Sequence, residues 1–280
     1  MDIVFVNGQV QDTVSALDRG LLYGDNLFET VAIVEQEPLM LDAHFNRLNA
    51  GAEILGFEID QNSLEQQIDT SLEHCKPQGK TVLRITITRG EQSRGYQPNT
   101  NSRKTIILSF HKWPKYPEHF HNKGMKLGQS HIQYAQQPHL AGIKHGNRLE
   151  QVLAAQSIRE NFDDVLMLDI EDNVISTSKG NIFIQFGREW FTPDLSQCGI
   201  DGIVRASLIQ HFKKLRISCK IESIKQADLL SNMQNITTAL CCNSIMGIVP
   251  ISQIFSQTIN SRQNCQSLRD TLIQDQVIAA

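Results

Sequence analysis

The chain has 280 residues, 40% hydrophobic and 20% charged, the proportions of an ordinary globular protein with one large or two modest domains. A formal net charge of −4 and an isoelectric point near 6.1 argue against nucleic acid as a partner, which selects for a basic footprint. No apolar run approaches the ~20 residues of a membrane helix, and the N-terminus does not read as a signal peptide. The six cysteines form no C-x-x-C pair and no zinc-like spacing, which fits a reducing cytoplasm and no metal.

Val4 to Val10 reads as a hairpin around Asn7-Gly8. After a glycine-containing loop, Asn26 to Val34 is expected to be a strand, turned by Glu37-Pro38. Asp42 is a candidate cap for a helix running to about Leu55, and a second helix is expected over Ser63 to Cys75. Thr81 to Thr88 and Thr105 to Phe110 carry strand patterns, joined by a polar loop that holds Arg94-Gly95-Tyr96.

The segment from His111 to Pro117 has two prolines in four residues and suits neither a helix interior nor a central strand, so it is the linker candidate. Beyond it the pattern predicts a strand from Met125 to Ile132, an amphipathic helix with Leu149, Val152 and Leu153 at i, i+3, i+4, and strands at Val165–Leu168 and Ile182–Phe186. A helix is expected near Asp201, a strand near Ile217–Ser223, short strands around Thr237–Cys241 and Ile248–Ile251, and a helical tail from Ser261. Adjacent Cys241 and Cys242 read as small buried residues. The pattern is α+β or mixed α/β in two lobes: residues 1–111 a smaller N-terminal domain, 112–122 a linker, and 123–280 a larger C-terminal domain.

Lys144 stands out, because it follows a glycine-containing turn and directly precedes a helix. A lysine held on rigid backbone at such a boundary can form a Schiff base with a carbonyl. Gly199-Ile200-Asp201-Gly202-Ile203-Val204-Arg205 ends a loop and opens a helix, so the N–H groups of Ile203 and Val204 can hold a phosphate; the ordinary reading is a loop-to-helix turn capped by Asp201. Arg47, in Ala43-His44-Phe45-Asn46-Arg47-Leu48, can grip a phosphate by two bonds, though alone it is an exposed helical arginine. Ser244, in Asn243-Ser244, offers a hydroxyl at a strand end. Asp18-Arg19-Gly20-Leu21-Leu22-Tyr23-Gly24-Asp25 and Phe28-Glu29-Thr30 form a dense loop-then-strand unit, whose ordinary reading is glycine turns with a buried Tyr23. Asn173 to Phe183 reads as strand, polar turn, strand.

Together and in this order, these segments resemble the class IV pyridoxal-phosphate enzymes over essentially the whole chain. That group includes branched-chain aminotransferases, D-amino acid aminotransferases and 4-amino-4-deoxychorismate lyases. The resemblance implies the two-lobed D-amino acid aminotransferase-like fold, with a pyridoxal-phosphate-binding C-terminal domain and a homodimer. It implies pyridoxal 5'-phosphate as cofactor, Lys144 as its Schiff-base lysine, and Arg47, Ile203, Val204 and Ser244 around its phosphate. Tyr23, Arg94 and Tyr96 would face the substrate. Gly142-Ile143-Lys144-His145, Asn147-Arg148-Leu149-Glu150-Gln151, Arg94-Gly95-Tyr96 and Cys242-Asn243-Ser244-Ile245-Met246 are most similar to the lyases. This implies conversion of 4-amino-4-deoxychorismate to 4-aminobenzoate and pyruvate, with Lys144 as general base and Thr30, Lys144 or water as the acid. An aminotransferase and a non-catalytic cofactor-binding protein of the same fold are the alternatives.

One departure matters. The family usually has a glutamate five residues before the Asn of the Asn-[Ile/Leu/Val]-Phe motif, where it pairs with the pyridine nitrogen of the cofactor. Counting back from Asn181 gives Ser176. A serine can hydrogen-bond that nitrogen but supplies no opposite charge, an arrangement expected to favour elimination over transamination.

Overall fold

The computed structural model describes residues 3–99, 102–259 and 261–280. It divides into two compact units, one of residues 3–114 with Ile143–Asn147 and the other of Lys115–Gly142 with Arg148–Ile278. The lysine segment therefore belongs to the first unit although it lies far along the chain. Among the described residues no helix is long and apolar enough to cross a membrane.

The first unit is an antiparallel six-stranded sheet with helices. Its elements are β1 (Ile3–Val6), β2 (Gln9–Val10), α1 (Arg19–Tyr23), β3 (Asn26–Val34), β4 (Glu37–Pro38), α2 (Leu41–Leu55), α3 (Gln61–Cys75), β5 (Lys80–Thr88) and β6 (Thr105–Lys112). The strand order is β2-β1-β6-β5-β3-β4. Asn7 and Gly8, both at positive φ, make the two-residue turn expected between β1 and β2. Helix α2 approaches β3 closely at Gly51, where an added Cβ would sit 2.8 Å from a Leu27 methyl. His44, Phe45, Leu48 and Ala52 are buried on the same helix.

Two helix starts differ from expectation. Met40, in the left-handed region (φ 55), precedes α2, and Asp42 lies inside the first turn, where its charge favours the helix dipole instead of capping. The second helix begins earlier than Ser63, because the Asp60 carboxylate accepts the Ser63 N–H at 3.1 Å. Asp18 likewise caps the unanticipated α1, accepting from the Gly20 N–H at 2.7 Å, and Gly24 (φ 65) ends it. His111 and Lys112 belong to β6, paired with Val82 and Thr81, so the strand reaches into the expected linker.

The second unit contains α4 (His119–Asn122), β7 (Met125–Gln129), α5 (Leu149–Gln156), β8 (Asp164–Leu168), β9 (Val174–Thr177), β10 (Asn181–Phe186), β11 (Glu189–Pro193), α6 (Ile203–Lys214), β12 (Cys219–Glu222), α7 (Gln226–Ser231), β13 (Ile236–Asn243), β14 (Gly247–Ile254), β15 (Gln257–Thr258) and α8 (Arg262–Gln274). The strands run β12-β11-β10-β13-β14-β7-β8-β9, with β15 beside β14. β14, β7 and β8 are mutually parallel, and β8 to β9 and β10 to β13 are antiparallel. Met125, Leu127, Leu166, Ile182, Cys241 and Val249 belong to one core cluster. Phe183, Trp190, Val204, Leu208, Phe212 and Cys242 belong to a second, which includes residues of α6.

Helix α6 begins at Ile203. Gly202 is its N-cap residue and gives no side-chain cap, while Asp201 instead pairs with Arg205 at 2.7 Å. The apolar stripe of α5 is not in the core. Leu149, Val152 and Leu153 are 75%, 48% and 47% exposed, and the buried residue of that helix is Ala154.

Candidate active site

In the first unit, the lysine segment lies along the start of β3. The Phe28 N–H donates to the Lys144 carbonyl at 2.9 Å, and the Gly146 N–H donates to the Asn26 carbonyl at 3.1 Å. Leu27 and His145 form an antiparallel bridge between these two bonds. The backbone of Lys144 is thus fixed by strand pairing, which is what a covalent anchor requires. Its Nζ lies 4.4 Å from the centroid of the Phe28 ring, and the Arg84 guanidinium carbon lies 4.1 Å from the same ring. Burial lowers the pKa of Arg84 from its ordinary value. Thr30, paired with Arg84 across β3 and β5, shares the alternation of Phe28.

Glu29 alternates to the other side of β3, toward α2. Its Oε1 accepts from Arg47 Nε at 2.7 Å and its Oε2 from Arg47 Nη2 at 2.5 Å, while His44 Nδ1 is 2.7 Å from Oε2. Burial alone would raise the Glu29 carboxyl, but the Arg47 guanidinium and hydrogen bonds from His44 and Arg47 bring it down to about 2. Arg47 is therefore held in a two-bond fork on Glu29, and any grip on a phosphate is made from that fixed position.

The loop bearing Arg94 and Tyr96 is held at its tip. Arg19 donates to the Gly95 carbonyl at 2.7 Å and to the Tyr96 carbonyl at 2.9 Å, and its guanidinium lies 4.7 Å from the Tyr23 ring centroid. The Tyr23 hydroxyl accepts from the Gly95 N–H at 3.2 Å, and the Tyr23 and Tyr96 rings are 5.5 Å apart. Tyr23 is half-buried, not enclosed as expected, and Arg94 and Tyr96 are exposed.

In the second unit, the loop before α6 ends in a helix N-terminus without a side-chain cap. The first N–H groups of α6, on Ile203 and Val204, have no intrahelical partner, and no side chain caps them. Asn181 Nδ2 donates to the Ile200 carbonyl at 2.9 Å, and a Cβ on Gly202 would collide with Asn181 Oδ1. The Gly142 N–H donates to Gly199 and the Asp201 N–H to Gly142, each at 3.0 Å, so the residues just before Ile143 are tied to this loop. Arg205 anchors the helix from inside through Asp201, Thr192 and the Pro193 carbonyl. Ser244 lies in the turn after β13, which Asn243 shapes by accepting from the Ile245 and Met246 N–H groups at 3.0 and 2.7 Å.

Ser176 is buried on β9, with its Oγ 2.9 Å from the Tyr134 hydroxyl and donating to the Thr177 carbonyl at 2.8 Å. Burial raises the Tyr134 phenol above its usual range. The Gln151 side chain lies against Tyr134, and its hydrogen bond, like that of Ser176, works against the rise.

The sequence reading missed Arg19, Glu29, His44 and Tyr134 as members of these clusters. Asp18 and Gly24 around the five residues of α1 were the available signal for Arg19. Nothing local marks Tyr134, whose partner lies 42 residues away.

The profile of the amino-transferase class IV family matches residues 26–254, and the chain belongs to that family. Among solved structures it is similar to 4-amino-4-deoxychorismate lyase of Pseudomonas aeruginosa, at 33% identity and a TM-score of 0.90, over 98% of this chain and 99% of that one. An aminodeoxychorismate lyase of Vibrio harveyi is 29% identical over 89% of this chain and 90% of its own. The branched-chain amino acid aminotransferase of Escherichia coli shares the fold, with a TM-score of 0.85 at 17% identity over 98% of this chain and 94% of that one.

Family membership carries dependence on pyridoxal 5'-phosphate, and the residues present fit that group. In the second unit the turn that opens α6, with no side-chain cap, suits a phosphate, and in the first unit the Lys144 amine, on a backbone held by strand pairing, suits an aldehyde.

Proposed function

We propose that this chain is a pyridoxal 5'-phosphate-dependent lyase that converts 4-amino-4-deoxychorismate to 4-aminobenzoate and pyruvate, a step toward folate. The observation that supports this reading is similarity along nearly the whole chain, in sequence at 29% identity to one protein and in fold to another at 33% identity, both bearing that activity in their names. Arg47, the Ile203 and Val204 N–H groups and Ser244 would hold the cofactor phosphate, Ser176 would face its ring nitrogen, and Lys144 would hold its carbonyl carbon. When bound, the cofactor supplies an electron sink beside the substrate amine.

Lys144, displaced by the substrate amine, takes the proton from the adjacent ring C–H as general base. Loss of that proton and departure of the enolpyruvyl group leave an aromatic ring, which drives the elimination. Thr30, Lys144 or a water protonates the leaving group. Arg94 is the first partner for the two substrate carboxylates and Arg148 the second. A neutral Ser176 favours elimination over transamination, because it does not supply the charge that would keep the ring nitrogen protonated.

The exposed stripe Leu149, Val152 and Leu153 supports a homodimer that covers it, and six unpaired thiols support a cytoplasmic setting. The test is to follow 4-aminobenzoate fluorescence after adding aminodeoxychorismate, with D-alanine or leucine plus a keto acid in parallel. Aromatic product that vanishes in Lys144→Ala supports the lyase. Keto-acid exchange without aromatic product replaces it by an aminotransferase, and a protein that takes up no cofactor removes both.

A further inference from the structure

We infer that Arg19 is a positioning residue that sets substrate affinity by fixing the loop of Arg94 and Tyr96 to the helix that carries Arg47. The inference rests on the reading of Arg94 and Tyr96 as substrate-facing residues and extends it to a side chain that meets no substrate. Arg19 is only 4% exposed, and all three of its guanidinium nitrogens have acceptors. Nη1 and Nη2 serve the carbonyls of Gly95 and Tyr96, and Nε meets Asp25 Oδ2 at 2.9 Å. A planar fork that spans two consecutive carbonyls fixes the direction of a loop as well as its distance, which an ammonium cannot do.

The same Asp25 oxygen accepts from Arg89 Nε at 2.7 Å, and Arg89 in turn donates to the carbonyls of Leu55 and Gly56 at the end of α2. A continuous chain therefore runs from the C-terminal turn of α2 through Arg89, Asp25 and Arg19 to the loop tip. Helix α2 carries Arg47, the candidate phosphate ligand, and the tip carries Arg94, the candidate carboxylate ligand. The chain thereby fixes one cationic group relative to the other.

Gln92 and Asn99 close the base of the loop through two hydrogen bonds, at 2.7 and 3.2 Å, so the base is held independently of the tip. At the tip, among the described residues, Tyr23 adds its hydroxyl on the Gly95 N–H and a ring contact with Tyr96, and Gly95 itself has φ +118, a conformation that only glycine adopts readily. Tyr96 is 86% exposed and gives the loop no anchorage in a core. Without Arg19 the two carbonyls revert to water and the loop samples other directions, at a cost to binding that falls before the chemical step.

The experiment measures steady-state formation of 4-aminobenzoate by the holoenzyme carrying Arg19→Lys, Arg19→Met or Arg94→Ala. Amide exchange of residues 92–99 is followed in parallel. The expected result for both Arg19 variants is a KM raised about tenfold, kcat changed less than about threefold, an unaltered cofactor absorption spectrum and faster exchange at Gly95. Arg19→Lys keeps a positive charge beside Asp25 and so preserves folding while losing the fork. A KM within about twofold of wild type despite faster loop exchange overturns the inference, as does a fall in kcat at constant KM. If Arg94→Ala leaves KM unchanged, the substrate-facing reading fails and Arg19 falls with it. If Arg94→Ala raises KM and the Arg19 variants do not, only the role of Arg19 is lost.

Discussion

Glu29→Gln is the sharpest test of how α2 is joined to β3 through Arg47 and His44. The substitution keeps the shape of the side chain and removes the charge shared by Arg47 and His44. Burial alone would raise the Glu29 carboxyl, yet Arg47 and His44 hold it at about 2 against an ordinary value of 4.5. Each pH unit between folded and unfolded values is worth about 1.4 kcal/mol, so the charge contributes roughly 3 kcal/mol at neutral pH. That agrees with the ~3–5 kcal/mol cost of breaking a buried pair from one side. Because the folded value lies below the unfolded one, the contribution is fully present above about pH 4.5 and is lost as pH falls through about 2. Urea unfolding of the two proteins should show a gap of roughly 3 kcal/mol at about pH 7 that shrinks to less than half by about pH 3. A gap below about 1 kcal/mol at neutral pH, or one that stays constant on acidification, refutes the electrostatic account of this cluster.

Four further outcomes follow from the geometry. Gly202→Ala drives a methyl into Asn181 Oδ1 and displaces the first turn of α6, so equilibrium titration with pyridoxal 5'-phosphate should show affinity weakened about tenfold, at a cost of about 1–3 kcal/mol. Ser176→Glu should change the absorption spectrum of the bound cofactor and shift the product ratio from 4-aminobenzoate toward keto-acid exchange; an unchanged spectrum and ratio would discard the serine argument. Val152→Lys with Leu153→Glu should halve the molar mass measured by light scattering while leaving the far-ultraviolet spectrum intact, and a wild-type monomer would end the dimer reading. Tyr23→Phe, which loses one hydrogen bond of about 1 kcal/mol at Gly95, should raise KM a few-fold and leave kcat in place.

The strands were legible because their signals are local. Asn26–Val34 alternates between strong turn residues, and Lys80–Thr88 is rich in β-branched side chains, so both strands fall where the pattern puts them. β11 was missed although Gly187-Arg188 makes a two-residue turn into Glu189-Trp190-Phe191, a hairpin signal hidden by a charged start. α5 shows the opposite limit. Its periodicity gives the helix correctly but cannot say whether the apolar stripe meets the core of its own chain, and here it does not. Of the candidate residues, Lys144, Asn181 and the Gly199–Arg205 turn stand out because backbone geometry constrains their neighbours in sequence. Glu29 with Arg47, Arg19 with Tyr96, and Tyr134 with Ser176 do not, because each pair is made by tertiary folding across 18 to 77 residues.

Ser176 shows how a departure in sequence acquires a physical setting. A serine has one proton, and Ser176 gives it to the Thr177 carbonyl, so the Tyr134 hydroxyl is the donor in their 2.9 Å pair. Burial raises the tyrosine, which keeps that proton in place. The acid that starts the preceding hairpin, Asp169, uses its oxygens on Gln136, Glu171 and Asn173. β9 thus offers a buried, neutral, hydrogen-bonded oxygen at Ser176, and Asp169 is committed to its own turn. On the reading proposed above, in which Ser176 would face the cofactor ring nitrogen, a neutral partner would slow a reaction that depends on a long-lived carbanion. An elimination driven by aromatisation would depend on it less, so on that reading the serine would be compatible with elimination and costly for transamination.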